Sequence, residues 1–252
     1  MNIAVITGAS SGLGEQFALK VSALRPEIEE IWLIARREEK LKELSQKLSK
    51  KVKILSLDIT DADALKEYSS VLETEKPNVK LLINNAGFGR LGNFDSISSE
   101  DSAAMIRLNC ESLTVITSLT LPFMEEGGEI INSCSIASFA PNTRMAVYSS
   151  TKAYVMSFSR ALRSELKVRK INVLAACPGP MDTEFLPVAG IEKGKSHTFD
   201  TLPRVKPDVM AEKSLKASKA KKAVYTNRIF YKFYRILAKL LPHSLVMKMA
   251  GT

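Results

Sequence analysis

Tyr148 and Lys152 stand four residues apart in Tyr148-Ser149-Ser150-Thr151-Lys152, inside a stretch whose apolar residues recur at helical spacing. Both side chains therefore leave one face of a helix. A free phenol titrates near 10, and an ammonium beside it favours the phenolate. A shift of about three units, roughly 4 kcal/mol, would bring Tyr148 toward neutral pH as a general acid or base. Taken alone, the pair is also an ordinary solvated couple on a helix surface. A second group, Thr7-Gly8-Ala9-Ser10-Ser11-Gly12-Leu13-Gly14, follows the apolar run Ile3-Ala4-Val5-Ile6 and opens a helical pattern. Its glycines let backbone amides approach an anion at a helix N-terminus, and a pyrophosphate suits such a place. A tight turn with no ligand would read the same way. Gly8-Ala9-Ser10-Ser11-Gly12 also fits the G-x-S-x-G turn of serine hydrolases, with Ser10 as nucleophile. Only one strand precedes Ser10, whereas that turn needs earlier strands to supply an oxyanion donor.

Composition narrows the chemistry. The chain has 252 residues, 45% hydrophobic and 25% charged, which is ordinary for a globular protein able to bury a large core. Cys110, Cys134 and Cys177 show no CxxC spacing, and His197 and His243 have no ligand partner at helical or turn spacing, so neither a disulfide framework nor a metal site is expected. Met1-Asn2 runs directly into an apolar strand pattern without a charged n-region, so the expected location is cytoplasmic. No window approaches the roughly 20 apolar residues of a spanning helix. The formal charge of +9 is concentrated: residues from Arg204 onward carry a net +10 and residues 1–203 a net −1. A basic tail on a near-neutral body argues against a nucleic-acid binder.

Short β-branched runs alternate with longer amphipathic ones, the pattern of βαβ units around a parallel sheet. Strands are predicted at Ile3–Thr7, Ile31–Ala35, Val52–Leu57, Leu81–Asn85, Glu129–Ser133, Ile171–Ala176 and Ala223–Thr226. Helices are predicted at Gly12–Leu24, Glu38–Lys50, Asp61–Glu73, Ser99–Leu119, Val147–Val168 and Pro207–Ser218. The expected fold is α/β: a doubly wound, Rossmann-type sheet of seven parallel strands with helices on both faces, as one domain over residues 1–226, plus a helical C-terminal extension over 227–252. Pro178–Pro203, with four prolines and three glycines and no periodicity, reads as a long functional loop.

The glycine segment is followed in order by Asn84-Asn85-Ala86-Gly87, Asn109, Ser135, the Tyr148–Lys152 pair and Cys177-Pro178-Gly179-Pro180. In this joint pattern, covering Met1 to about Thr226, the chain resembles the short-chain dehydrogenase/reductase family. The resemblance implies a nicotinamide-dependent oxidoreductase with Asn109, Ser135, Tyr148 and Lys152 as its working group. Tyr148 would exchange a proton with a carbonyl or alcohol, and the Ser135 hydroxyl would hydrogen-bond the same oxygen. Asn109 would hold a proton-relay water beside the lysine. Ser133 and Ser138 compete with Ser135, and strand alternation is expected to turn Ser133 elsewhere.

The resemblance places the cofactor against Gly8, Ser10, Ser11, Gly12, Leu13, Gly14, Asp58, Ile59, Asn85, Ala86 and Gly87, with Pro178, Gly179, Met181 and Thr183 at the nicotinamide end beside Tyr148 and Lys152. Its type is read from the second strand, which ends Leu33-Ile34-Ala35-Arg36-Arg37. No carboxylate stands there to accept a ribose hydroxyl, and the guanidiniums of Arg36 and Arg37 suit a 2′-phosphate, so NADP(H) is expected over NAD(H). A catalytically silent, cofactor-binding scaffold is the other reading.

Beyond the last strand, Arg228, Lys232, Arg235 and Lys239 fall on one side of a helical pattern, with Ile229, Phe230, Phe233, Ile236, Leu237 and Leu240 opposite. The apolar side is expected to pack on the domain or a twin subunit. Attachment to an anionic bilayer surface is the alternative. With this tail closing over the cleft, the small-molecule carbonyl or alcohol substrate is expected to be lipophilic; a homodimer or homotetramer is expected, although the tail, which the shortest members of the resembling family lack, puts their usual tetramer in doubt.

Overall fold

The computed structural model describes residues 1–191 and 200–249. Seven strands form one sheet: β1 (Asn2–Thr7), β2 (Glu30–Ile34), β3 (Lys51–Leu55), β4 (Asn78–Asn84), β5 (Glu129–Ser133), β6 (Asn172–Ala176) and β7 (Val224–Tyr225). Every pairing is parallel, in the spatial order β3-β2-β1-β4-β5-β6-β7. The order reverses between β1 and β4, which opens a crevice beyond the carboxyl ends of those two strands.

Alternation along the strands builds two cores. Ala4 and Ile6 of β1 join Ile31 and Leu33 of β2 on one face. Ile3 and Val5 join Trp32 and Leu82 on the other. The first face is covered by α1 (Gly12–Leu24) and α2 (Glu38–Ser45), the second by α3 (Ala62–Glu75). Next come α4 (Ser99–Ile106), α5 (Leu113–Thr120), α6 (Ala146–Glu165) and the single turn α7 (Phe185–Val188). Helix α8 (Pro207–Lys219) returns to the first face, bringing Met210 and Leu215 against the core residues of α1. The extension forms α9 (Ile229–Leu240) and α10 (His243–Met249).

Two predicted helices differ most from the observed ones. Helix α2 ends at Ser45, five residues early, because Gln46–Ser49 turn back under local hydrogen bonds such as Lys47 N to the Leu44 carbonyl. The helix predicted over Ser99–Leu119 is split by a widened, π-helical turn at Arg107–Ser112, where the Ser112 and Thr114 hydroxyls bond the Arg107 and Cys110 carbonyls. Residues 192–199 of the Pro178–Pro203 segment, His197 among them, lie outside the described residues.

At the amino-terminal ends of the strands, remote from the crevice, Arg25 after α1 is buried against Glu129 at the start of β5, with Nη2 donating to Oε1 at 2.5 Å. Removing one partner strands a buried charge, which costs about 3–5 kcal/mol, whereas replacing both by apolar residues is close to neutral. Arg25→Met is therefore expected to lower the urea midpoint sharply, and Arg25→Met with Glu129→Leu to recover most of the loss. Additive losses in the double variant would show that the pair is not the source.

Candidate active site

The β1–α1 turn is drawn tight against the end of β4. Thr7 Oγ1 accepts from the amides of Asn85 and Ala86 at 3.0 and 3.1 Å, closing the floor of the crevice. Gly8 has φ +64°, and a Cβ there would sit 2.7 Å from Ala86 Cα; one on Gly14 would sit 2.1 Å from the Gly8 carbonyl oxygen. Asn85 bridges the two sides, donating to the Gly8 carbonyl at 3.3 Å and accepting from Ser133 Oγ at 3.0 Å. At the start of α1 the Ser11 side chain does not cap the helix. The amides of the first turn, around Gly12 and Leu13, thus keep their capacity for an anion.

Arg37 reaches this turn. Its guanidinium donates to Ser10 Oγ at 3.1 Å and Ser11 Oγ at 2.8 Å, and pairs with Glu184 at 2.9 Å. The hydrogen bond from Arg37, then that from Ser11, holds the Glu184 carboxyl below the usual range. Arg36 projects outward with 76% of its side chain exposed and lies 3.7 Å from Asp58. Burial would raise Asp58, but hydrogen bonds from the Thr60 hydroxyl and amide, together with Arg36, outweigh it and depress its carboxyl. Asp58, with Ile34, Ala35, Leu57 and Ile59, lines one end of a cavity of about 1130 Å³ that runs the length of the crevice.

At its middle stand the groups capable of proton transfer. Lys152 is buried, donates to the Ser133 carbonyl at 2.8 Å, and lies 5.7 Å from the centre of the Tyr148 ring. Ser135 hydrogen-bonds the phenol of Tyr148, and its Oγ accepts from Ala137 N at 3.1 Å, holding the hydroxyl at the mouth of β5. Ser138 turns back to the Ser135 carbonyl at 2.6 Å. Contrary to strand alternation, Ser133 also lines the cavity, since β5 ends there and its hydroxyl follows Asn85. Lys152 does not bring Tyr148 down in pKa: burial pushes the phenol well up, only partly offset by Ser135. Burial likewise lowers Lys152, so desolvation outweighs the expected stabilisation of the phenolate.

Asn109 sits in the π-helical turn, and its amide spans two walls. Oδ1 accepts from Phe88 N at 3.1 Å, while Nδ2 donates to the Phe88 carbonyl at 2.9 Å and to Thr151 Oγ1 at 3.0 Å. Both amide protons are used, and one lone pair of Oδ1 remains. The side chain instead fixes the Gly87–Phe88 backbone next to Lys152.

The loop after β6 closes the far side. Ile136 N bonds the Pro178 carbonyl at 3.1 Å, Met181 bridges to Val205, and Thr183 faces Gly12, where a Cβ would come within 3.3 Å. Gly179 is covered by the buried ring of Tyr231 from α9; a Cβ there would lie 2.3 Å from it. Several wall residues went unread in the sequence because they belong to no motif. Phe185 packs against Tyr148 with ring centres 5.5 Å apart and planes tilted by 52°, Gly89 leaves room for both rings, and Arg90 pairs with Asp101 at 2.9 Å. The same cavity is lined by the apolar or aromatic Leu108, Met145, Leu186, Phe230, Tyr234 and Val246, and by the polar Arg90, Asp101 and Asn142.

A family model described as short chain dehydrogenase matches residues 2–191. The serine 3-dehydrogenase of Agrobacterium fabrum is 32% identical over 187 residues, 72% of each chain. The NADP-dependent 3-hydroxy acid dehydrogenase of Schizosaccharomyces pombe is 32% identical over 218 residues, 82% of this chain and 83% of that one. Among solved structures, a short-chain dehydrogenase from Sphingobium yanoikuyae in complex with NADPH superposes with a TM-score of 0.78 at 26% identity, covering 96% of this chain and 97% of that one.

Because burial holds Tyr148 protonated, ultraviolet difference titration of the cofactor-free protein against Tyr148→Phe is expected to show no extra phenolate below pH about 10. A phenolate signal rising between pH about 6 and 8 would mean that Lys152 wins over desolvation.

Proposed function

The chain belongs to the short-chain dehydrogenase/reductase family, and we propose that it is an NADP(H)-dependent oxidoreductase that interconverts a lipophilic carbonyl compound and its alcohol. The observation that carries this reading is the junction at Tyr148: one cavity joins a polar cradle that fits a dinucleotide to an apolar chamber, and Ser135, Tyr148 and Lys152 stand between them. The glycine turn and the uncapped start of α1 suit a pyrophosphate, with Asp58, Ile59, Asn85, Ala86 and Gly87 along the adenosine side and Pro178, Gly179, Met181 and Thr183 along the nicotinamide side. Arg36, with Arg37 and Ser10, supplies positive charge and a hydroxyl for a 2′-phosphate. When bound, the nicotinamide supplies the hydride donor or acceptor.

The residues of the chain do the rest. A carbonyl oxygen seated beside Tyr148 accepts the phenolic proton as negative charge develops on it, and Ser135 donates a hydrogen bond to the same atom. A phenol kept protonated by burial is in the correct state to act as the acid. The Lys152 ammonium, held by the Ser133 carbonyl, stabilises the phenolate left behind. Asn109 positions the wall beside that ammonium. Phe185 and Phe88 shield the oxygen from bulk water.

Tyr148→Phe is expected to cut turnover by about 10²–10⁴-fold while NADPH still binds. Unchanged turnover would remove Tyr148 from its role, and loss of NADPH binding would point to misfolding. Arg36→Ala is expected to raise the Kd for NADPH roughly tenfold to a hundredfold, the worth of a charged hydrogen bond, and to leave NADH unaffected in a fluorescence titration. An equal loss for both cofactors would rule out a 2′-phosphate site at Arg36.

A further inference from the structure

The extension packs on the domain by the side opposite to that expected from its pattern. Tyr231, fully buried, lies under Gly179 with its hydroxyl donating to the Pro203 carbonyl at 2.8 Å. Ala238, Tyr234 and Leu241 gather with Phe139, Ala140 and Val246 of α10. The apolar stripe is left outside: Ile229 is 86% exposed, Leu240 75%, Phe233 60%, Ile236 54% and Phe230 52%. Five large apolar side chains on one face of a twelve-residue helix are not scattered surface residues; they form a patch that needs a partner.

Charge decides which partner. Lys232 and Lys239 flank the stripe, exposed, with Arg228 at its start and Lys248 on α10 beyond it. Residues 213–252 contain ten Lys and Arg and no Asp or Glu. The field is uncompensated: the guanidiniums of Arg235 and Arg160 push the Lys239 ammonium down in pKa. A second copy docked by a two-fold axis through this stripe would set these cations against their own equivalents with no carboxylate from the same segment between them. An anionic bilayer offers apolar depth for the stripe and negative headgroups for its margins.

We propose that the exposed face of α9, with the cations beside it, is a docking surface for an anionic lipid bilayer, on which the protein lies without crossing. Ile229, Phe233, Ile236 and Leu240 enter the level of the acyl boundary, and Arg228, Lys232, Lys239 and Lys248 stay with the headgroups. Phe230 and Phe233 also line the catalytic cavity, so its apolar end opens at the docked face. A lipophilic carbonyl dissolved in the bilayer then has a path to Tyr148 that avoids water; this consequence, unlike the docking itself, rests on the reductase reading.

The test is flotation of the full-length protein with vesicles, without substrate. Binding is expected to phosphatidylcholine vesicles that contain phosphatidylglycerol, weakening as salt is raised, and to be weak for phosphatidylcholine alone. Lys232→Gln with Lys239→Gln, two exposed positions outside the core, is expected to reduce binding roughly fivefold per lost cation. Ile229→Ser with Ile236→Ser and Leu240→Ser, outside the cavity lining, is expected to abolish it while NADPH binding, which monitors folding, is unchanged. Failure of the wild type to float, or equal binding to both kinds of vesicle, would overturn the proposal. So would a wild-type dimer that the apolar variant converts to monomer without any vesicle binding, which would assign the stripe to a second copy. NADPH binding and Tyr148→Phe report on the reductase reading separately.

Discussion

The site depends on one hydroxyl between two diverging strands. Thr7 Oγ1 accepts the amides of both Asn85 and Ala86, tying the end of β1 to the end of β4 where the connections part to opposite faces of the sheet. Two parallel strands whose chains leave in opposite directions must leave a gap, and that gap is the only opening the sheet itself dictates. Thr7 keeps it narrow enough for Gly8 to touch Ala86, and Asn85 carries the connection on to Ser133 of β5. Backbone amides of the glycine turn, the carbonyl that holds Lys152, and the strand end bearing Ser135 are thereby set in one row.

From that row outward the balance is between desolvation and charge. The buried Tyr148 phenol and Lys152 ammonium both move toward their neutral forms, because removal from water outweighs the Ser135 hydrogen bond on the first and the neighbouring cysteine sulfurs on the second. The neighbouring thiols feel the same competition. Burial opposes the Cys134 thiolate, but hydrogen bonds from Cys177 and Ser138 and the charge of Lys152 bring that thiol down to about 7. Such a centre is tuned by whatever fills the cavity, since any occupant changes the solvation of every titratable group that lines it. At the polar end, by contrast, Arg36 remains solvated and weakly paired, free to meet an anion.

The extension adds a second constraint. Gly179 has no side chain, and the Tyr231 ring occupies the space one would take, so α9 is keyed to the loop that borders the nicotinamide side of the cavity. That contact sets the rotation of α9 about its own axis. With Tyr231 inward, Ile229, Phe233, Ile236 and Leu240 have no course but outward.

The alternation of β-branched runs with amphipathic ones was enough to read seven parallel strands, because buried parallel strands and their covering helices leave different periods in the sequence. That Gly8, Asn85, Tyr148 and Lys152 share one crevice was legible for a related reason, since each belongs to a short pattern of residue type and spacing, whereas Asn109 and Ser135 were singled out only by the family resemblance. Tertiary structure decided what no local pattern encodes. It broke the predicted Ser99–Leu119 helix at a π-helical turn, because the Asn109 amide bonds Phe88 and Thr151 from distant segments. It turned Ser133 into the crevice by ending β5 beside Asn85, and it reversed the expected shift of Tyr148, since desolvation is a property of everything packed around a group. It also chose which face of α9 is buried: periodicity shows that a helix has an apolar side, and only the shape of the surface beneath decides which side fits.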